Sequence, residues 1–180
     1  ALEDAPHELV DDVVEDMEVL RDGSILLVGR VDIGMTDSDY SARAAVLKLT
    51  PEGVPDNTFG QNGKVLTSFN GDYLYSAIAV QCDGRILVAG STKTAVDRYN
   101  DFAALRLNSD GTPDTGFGDQ GVRVVPFDLA NDNSADDVSD MTLIGGRVLI
   151  TGLVASPDGG SFALTRLDSD QIFCNGFELP

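Results

Sequence analysis

Short apolar runs of four to eight residues recur along the chain, each closed by Gly, Asp, Asn or Pro, with no convincing helical stretch between them. The string DGSILLVG (Asp22 to Gly29) returns as DGRILVAG (Asp83 to Gly90) and again as GGRVLITG (Gly145 to Gly152), with closing glycines 61 and 62 residues apart. A second block keeps step with the first. AAVLKLTPEGVPDNTFGQNGKV (Ala44 to Val65) matches FAALRLNSDGTPDTGFGDQGVRV (Phe102 to Val124), with Leu49 and Leu107, Gly53 and Gly111, Phe59 and Phe117, and Gly63 and Gly121 each 58 apart. The third copy opens as FALTRLDSD (Phe162 to Asp170) and then departs into QIFCNGFELP. A fixed period of this length indicates stacked supersecondary units.

In the middle unit four runs read as strands: Ser76 to Gln81, Arg85 to Ser91, Phe102 to Asn108 and Val122 to Phe127. Asp22 with Gly23, and Asp83 with Gly84, are tight-hairpin signals that predict primed two-residue turns, because Gly and Asx supply positive φ at low cost. Asp110 with Gly111 marks a turn before the fourth strand, and Pro113 to Gly121 suits an irregular loop. The second strand of each unit, such as Ile25, Leu26, Leu27 and Val28, is apolar without alternation, which implies burial on both faces. A sheet sandwiched between copies of itself meets that demand. The predicted fold is therefore all-β: tandem four-stranded antiparallel blades of β-propeller type, about three units, forming a partial propeller. Ala44, Ala45, Ala103 and Ala104 permit close approach in the third strand, and Lys48, Arg106 and Arg166, which share one position, are expected to snorkel along a blade surface.

These residues resemble the bacterial delta-60 repeat, a propeller-type repeat found in long tandem arrays in secreted or surface proteins. The resemblance runs from about Asp11 to Asp170 and is carried by DGRILVAG followed by DFAALRLNSDGTPDTGFGDQG. It implies the fold and a cell-surface context, and it brings no agreed activity and no catalytic residues. The tail DQIFCNGFE (Asp170 to Glu178) is similar to the Ile-Phe-x-x-Gly-Phe-Glu ending of many exported Gram-negative proteins.

The expected organisation is the end of a preceding outer strand or a frayed terminus at 1–10, repeat units at 11–72 and 73–135, an incomplete unit at 136–170 and a tail at 171–180. Aligning Asp11, Asp12 and Val13 with Asp136, Asp137 and Val138 makes the chain open within a unit. Three units are also few for a ring, since propellers have about 4–8 blades. Three readings stand: a piece of a longer array, an open arc, or self-association of two chains into a six-bladed ring.

Charge narrows the partners. A net charge of −18 argues against nucleic acid, which wants a basic patch, and against an anionic membrane surface. No apolar run is long enough to insert in a bilayer as a helix. The expected setting is secreted or cell-surface and bacterial, and the expected partner is a protein or glycan at that surface. The even cysteine count permits one disulfide between Cys82 and Cys174, with two separate buried thiols as the alternative.

Catalytic chemistry finds little material. His7 is the only histidine, so neither a Ser-His-Asp triad nor a multi-histidine zinc site can be assembled. The carboxylate pairs Asp11 with Asp12 and Asp136 with Asp137 fall at matching repeat positions, which points to structure. Calcium is the one cofactor the sequence suggests. Asp37, Asp39 and the stretch DLANDNSADD offer hard oxygens in loops, with Asp128, Asp132, Asp136 and Asp137 as ligands and Asn131 and Asn133 adding amide oxygens, against the plain reading of a solvated acidic connection. Loops joining the second and third strands, Arg30 to Ala42, Ser91 to Asp101 and Leu153 to Ser161, differ in every unit. On one rim of a propeller they would carry partner contacts, with Tyr40, Arg98 and Tyr99 as the contact residues. Phe59 and Phe117 are expected to be architectural plugs in their Phe-Gly-x-x-Gly loops. The function expected is a non-catalytic extracellular binding or surface-scaffold module, with a propeller-based hydrolase or lyase acting on surface polysaccharide, or a purely structural spacer, as alternatives.

Overall fold

The computed structural model describes residues 12–36, 39–67, 73–93, 100–127, 136–156 and 159–168. Among them are eleven strands and no helix. The first sheet is an antiparallel meander of β1 (Val13–Val19), β2 (Ile25–Thr36), β3 (Asp39–Leu49) and β4 (Lys64–Leu66). The second repeats it with β5 (Tyr73–Val80), β6 (Ile86–Lys93), β7 (Asn100–Leu107) and β8 (Val122–Val125). The third has three described strands, β9 (Asp136–Ile144), β10 (Arg147–Ser156) and β11 (Gly159–Asp168).

The first hairpin turns differ from the expectation. Leu20 N–H donates to Ser24 and Gly23 N–H to Leu20, and Gln81, Gly84 and Arg85 repeat the pattern. These are three-residue loops in which only the glycine is left-handed, with Gly23 at φ 86° and Gly84 at φ 86°, the type I turn with a G1 bulge. Asp22 stays right-handed because its work is done by its side chain: Oδ1 accepts the Ser24 N–H at 2.9 Å. The two-residue turn that positive φ at both positions permits occurs instead in the third sheet, at Gly145 (φ 56°) and Gly146 (φ 73°).

The glycine that closes each repeated string has a separate cause. The first strand of every sheet carries a register shift, between Val14 and Asp16, Tyr75 and Ala77, and Val138 and Asp140 opposite Gly152 and Thr151. This bulge presses strand backbone onto the second strand. A Cβ on Gly29 would lie against the carbonyl oxygen of Val13, and one on Gly152 against that of Asp137. The periodic glycine thus marks close approach between backbones.

The sheets stack face to face. β5 packs across β1, β2 and β3, and β9 across β5, β6 and β7. Because successive strand residues point to opposite faces, β6 divides its apolar run between two cores. Ile86 and Val88 join Leu26, Val28, Ala44, Val46 and Phe59 of the first sheet. Leu87 and Ala89 join Val138, Met141, Val148 and Ile150 of the third. The unalternated strand β6 is buried on both faces as expected, but in β2 only Leu26 and Val28 are buried, and Ile25 and Leu27 are half-buried on the outer face of the first sheet. Polar atoms cross the junctions as well: Ile78 N–H donates to Asp16 Oδ2 at 2.9 Å, and Val138 N–H to Ser91 Oγ at 3.0 Å.

Candidate interaction surface

The Phe-Gly-x-x-Gly loops gather ion pairs in the first and second blades. Phe59 and Phe117 are both buried, the first in the junction between the first and second sheets and the second in the junction between the second and third. Each loop is held by an aspartate. Asp56 Oδ1 accepts from Thr58 N–H at 3.0 Å and Oγ1 at 2.6 Å, and Asp114 Oδ1 accepts from Gly116 N–H at 3.0 Å. The basic residue of the third strand closes the loop from below, Lys48 to Asp56 at 3.0 Å and Arg106 to Asp114 at 2.8 Å.

Arg106 corrects the snorkelling expectation. Its side chain is 1% exposed, inside the stack, where the guanidinium lies 4.6 Å from the Phe117 ring centroid. Arg123 lies over the same ring at 4.8 Å. A planar guanidinium can stack on an aromatic face and bind a carboxylate at once, which is why arginine tolerates this interior place. Lys48 is half-buried and Arg166 exposed.

The hydrogen bonds set the acidity of these carboxylates. Thr58, through its hydroxyl and then its N–H, with Lys48 adding to them, holds Asp56 down at about 2. Thr112 lowers Asp110 and Ser24 lowers Asp22 in the same way. At Asp114 burial pushes upward, but the Gly116 N–H and the Arg106 and Arg85 charges outweigh it and the group ends below its ordinary value. A carboxylate with a strongly shifted pKa is a candidate for chemistry only when no structural partner explains the shift. Here each has one, within its own repeat.

The residues expected to bind calcium separate into two groups. Asp128 and Asp132 lie outside the described residues, as do Asp37, Asn131 and Asn133. Asp136 is buried and its Oδ2 accepts the Phe127 N–H at 3.2 Å. Asp137 is exposed and takes Asn100 Nδ2 at 3.4 Å. As neighbours on β9 they point to opposite faces of the sheet. Among the described residues no group of three or more His, Cys, Asp or Glu is disposed to hold a metal ion. Tyr40 falls in β3 opposite Met35, and Asp39 opposite Thr36. Their side chains, with Arg98 and Tyr99, lie outside the described residues. β2 and β3, β6 and β7, and β10 and β11 are paired antiparallel up to Thr36 with Asp39, Lys93 with Asn100, and Ser156 with Gly159.

Sequence reasoning passed over a different surface. The outer faces of the first and third sheets carry exposed apolar side chains, with the exposed Arg166 beside them on the third. On the first, Val14, Met17 and Val19 are exposed beside half-buried Leu27 and Leu47, and a shallow apolar recess of about 50 Å³ opens among Val14, Leu27, Val31 and Leu47. On the third, Leu153, Phe162 and Leu164 are exposed. The signal was present: Phe162 stands where Phe102 stands in the repeat, and Met17 where Ile78 stands.

The middle sheet decides the architecture. Residues 81–117 match a family model described as a domain of unknown function (DUF5122) beta-propeller. The matched segment holds the Asp83–Gly84 turn, β6, β7 and the loop to Phe117, the elements that supply both packing faces of the second sheet. With three stacked antiparallel sheets of three and four strands, the chain is all-β and its sheets are propeller-type blades. No curated protein matches the chain.

Proposed function

We propose that the chain is a non-catalytic binding or scaffold module of delta-60 type, acting at a bacterial cell surface on a protein or glycan. The observation that supports this reading most is the use of the ordered carboxylates. Asp22, Asp56, Asp110 and Asp114 each close a turn of their own blade, so the recurring acidic residues are accounted for by architecture. Variation is left to the connections between the second and third strands, where a rigid scaffold carries recognition. Cys82 is disulfide-bonded, which supports an oxidising compartment. The chain's other cysteine, Cys174, lies outside the described residues.

The test is binding of the labelled chain to intact Gram-negative cells and to their purified surface polysaccharide. A variant in which 94–99 is replaced by a short Gly-Ser turn is expected to lose binding and keep its melting temperature. Undiminished binding by that variant would remove the rim from the reading. Release of reducing ends from the polysaccharide, abolished by one acidic substitution, would replace the binding module with the hydrolase or lyase.

A further inference from the structure

The two open faces are the unmatched halves of one junction, which the molecule already builds twice. In the second blade the face toward the first presents Ile78, Ile86, Val88, Leu105 and Leu107. The equivalent positions of the first blade are Met17, Ile25, Leu27, Leu47 and Leu49, placed on one face by the pairings Met17 with Leu27 and Leu27 with Leu47. They keep the residue type and lack the cover: Met17 is 53% exposed, whereas Ile78 and the third blade's Met141 at that position are buried. In the second blade the face toward the third presents Leu87, Ala89, Phe102 and Ala104. Its equivalents in the third blade are Leu149, Thr151, Phe162 and Leu164, aligned by the pairings Thr151 with Leu164 and Leu153 with Phe162. Phe102 is 0% exposed and Phe162 is 96% exposed.

We infer that the outer face of the third blade docks on the outer face of the first blade of a second copy of this chain, and the reverse, closing a six-bladed ring. The occupant is argued from the internal junctions. The surface that seats on Ile86 and Val88 is the second-to-third-strand face of a preceding blade, and the third blade of another copy offers that face, with Phe162 at the position held by Ala44 in the first junction and Phe102 in the second. Three blades from each copy give six, inside the range in which propellers close. A head-to-tail contact made twice with two-fold symmetry closes, whereas one with the wrong rotation grows into an open filament. The −18 net charge of each copy opposes the association at long range, so it should strengthen with salt, whose screening length falls from about 8 Å to about 3 Å between 0.15 M and 1 M.

The experiment is light scattering on a size-exclusion column for the full chain, over a roughly hundredfold concentration range in 1 M NaCl. The expected result is a discrete dimer. Phe162→Asp and Met17→Asp, both at exposed positions and so compatible with folding, are each expected to give monomers. Mixed together they are expected to return a dimer, because one intact junction remains between the Met17→Asp third blade and the Phe162→Asp first blade. A wild-type monomer at every concentration overturns the proposal. So does a series of growing polymers, or a dimer broken by Phe162→Asp and indifferent to Met17→Asp, which would mean two third blades meeting face to face.

Discussion

Phe102 and Phe162 occupy the same repeat position in nearly the same strand sequence, FAALRL against FALTRL, yet one is fully covered and the other almost fully exposed. The difference lies in the neighbour. Phe102 has the third blade over it and meets Phe127 edge-on at 5.0 Å, while Phe162 has no described blade beyond it. In a repeat protein burial is a property of the interface, and each blade carries the apolar residues for interfaces it does not itself complete.

The sharpest way to break this comparison is to truncate both rings. Phe102→Ala should cost about 3–5 kcal/mol, as should Phe117→Ala, since each leaves a cavity in a closed junction. Phe162→Ala, measured at dilution, should stay within about 0.5 kcal/mol. Urea unfolding curves of the three variants decide it, and equal losses at Phe102 and Phe162 would refute the assignment of faces. Next in size comes the charge buried beside the junction. Removing Asp114 takes the carboxylate away from the buried Arg106 guanidinium, and Asp114→Ala should cost about 3 kcal/mol, more than the loss of the Asp56 carboxylate paired with half-buried Lys48 in the first blade.

A smaller contrast tests the close-approach glycines. At Gly152 an added methyl meets the Asp137 carbonyl and lies 2.6 Å from the Phe102 ring, whereas at Gly160, seven residues before Leu167 on β11, nothing stands within 4 Å. Gly152→Ala should destabilise by about 1–3 kcal/mol. Gly160→Ala should be neutral or slightly stabilising, because it only restricts the unfolded chain. Thermal melts of the pair suffice, and a tolerated alanine at Gly152 would show that the bulge relaxes.

Much of this was legible in the residues. The period, the four strands of the middle unit and the two-sided burial of ILVA follow from the hydrophobic pattern, whereas ILLV, read the same way, is covered on one face only. The plugging role of Phe59 and Phe117 follows from rings placed among glycines. Three things were not legible. A turn written Asp-Gly does not say whether one residue or two will be left-handed, since that depends on whether the Asp side chain caps the N–H two residues on, as at Asp22 and Ser24. A basic residue in an apolar strand reads as a snorkeller until its acid, eight residues on at Asp114, is seen to fold back over it. And the open faces were hidden by the repetition itself, because in sequence Met17 and Phe162 look like the buried Ile78 and Phe102 at the same positions. The reading of Tyr40, Arg98 and Tyr99 as partner contacts rests on residue type and on their place in connections that differ between units.

The finest test reads the loop that seats Phe59 against the second blade. Asp56 is held at about 2 in the folded chain by Thr58 and Lys48, against an ordinary value near 3.8 once unfolded. The unfolded chain therefore takes up the proton first as pH falls, and the stabilisation by this carboxylate is complete above about pH 5 and is lost on the way down to about pH 2. Asp110, Asp114 and Asp22 are shifted in the same direction, so the wild type should lose stability across that window, whatever relief of self-repulsion it gains between pH 7 and pH 4. Asp56→Asn isolates one contributor. Its destabilisation relative to wild type should be constant from pH 7 to about pH 5 and shrink as pH approaches 2, where the protonated Asp56 hydrogen-bonds no better than the amide. Denaturant midpoints of the two proteins at four or five pH values give the difference directly. A deficit that does not change with pH would mean that the loop is held by its glycines and Phe59 rather than by the charge at Asp56.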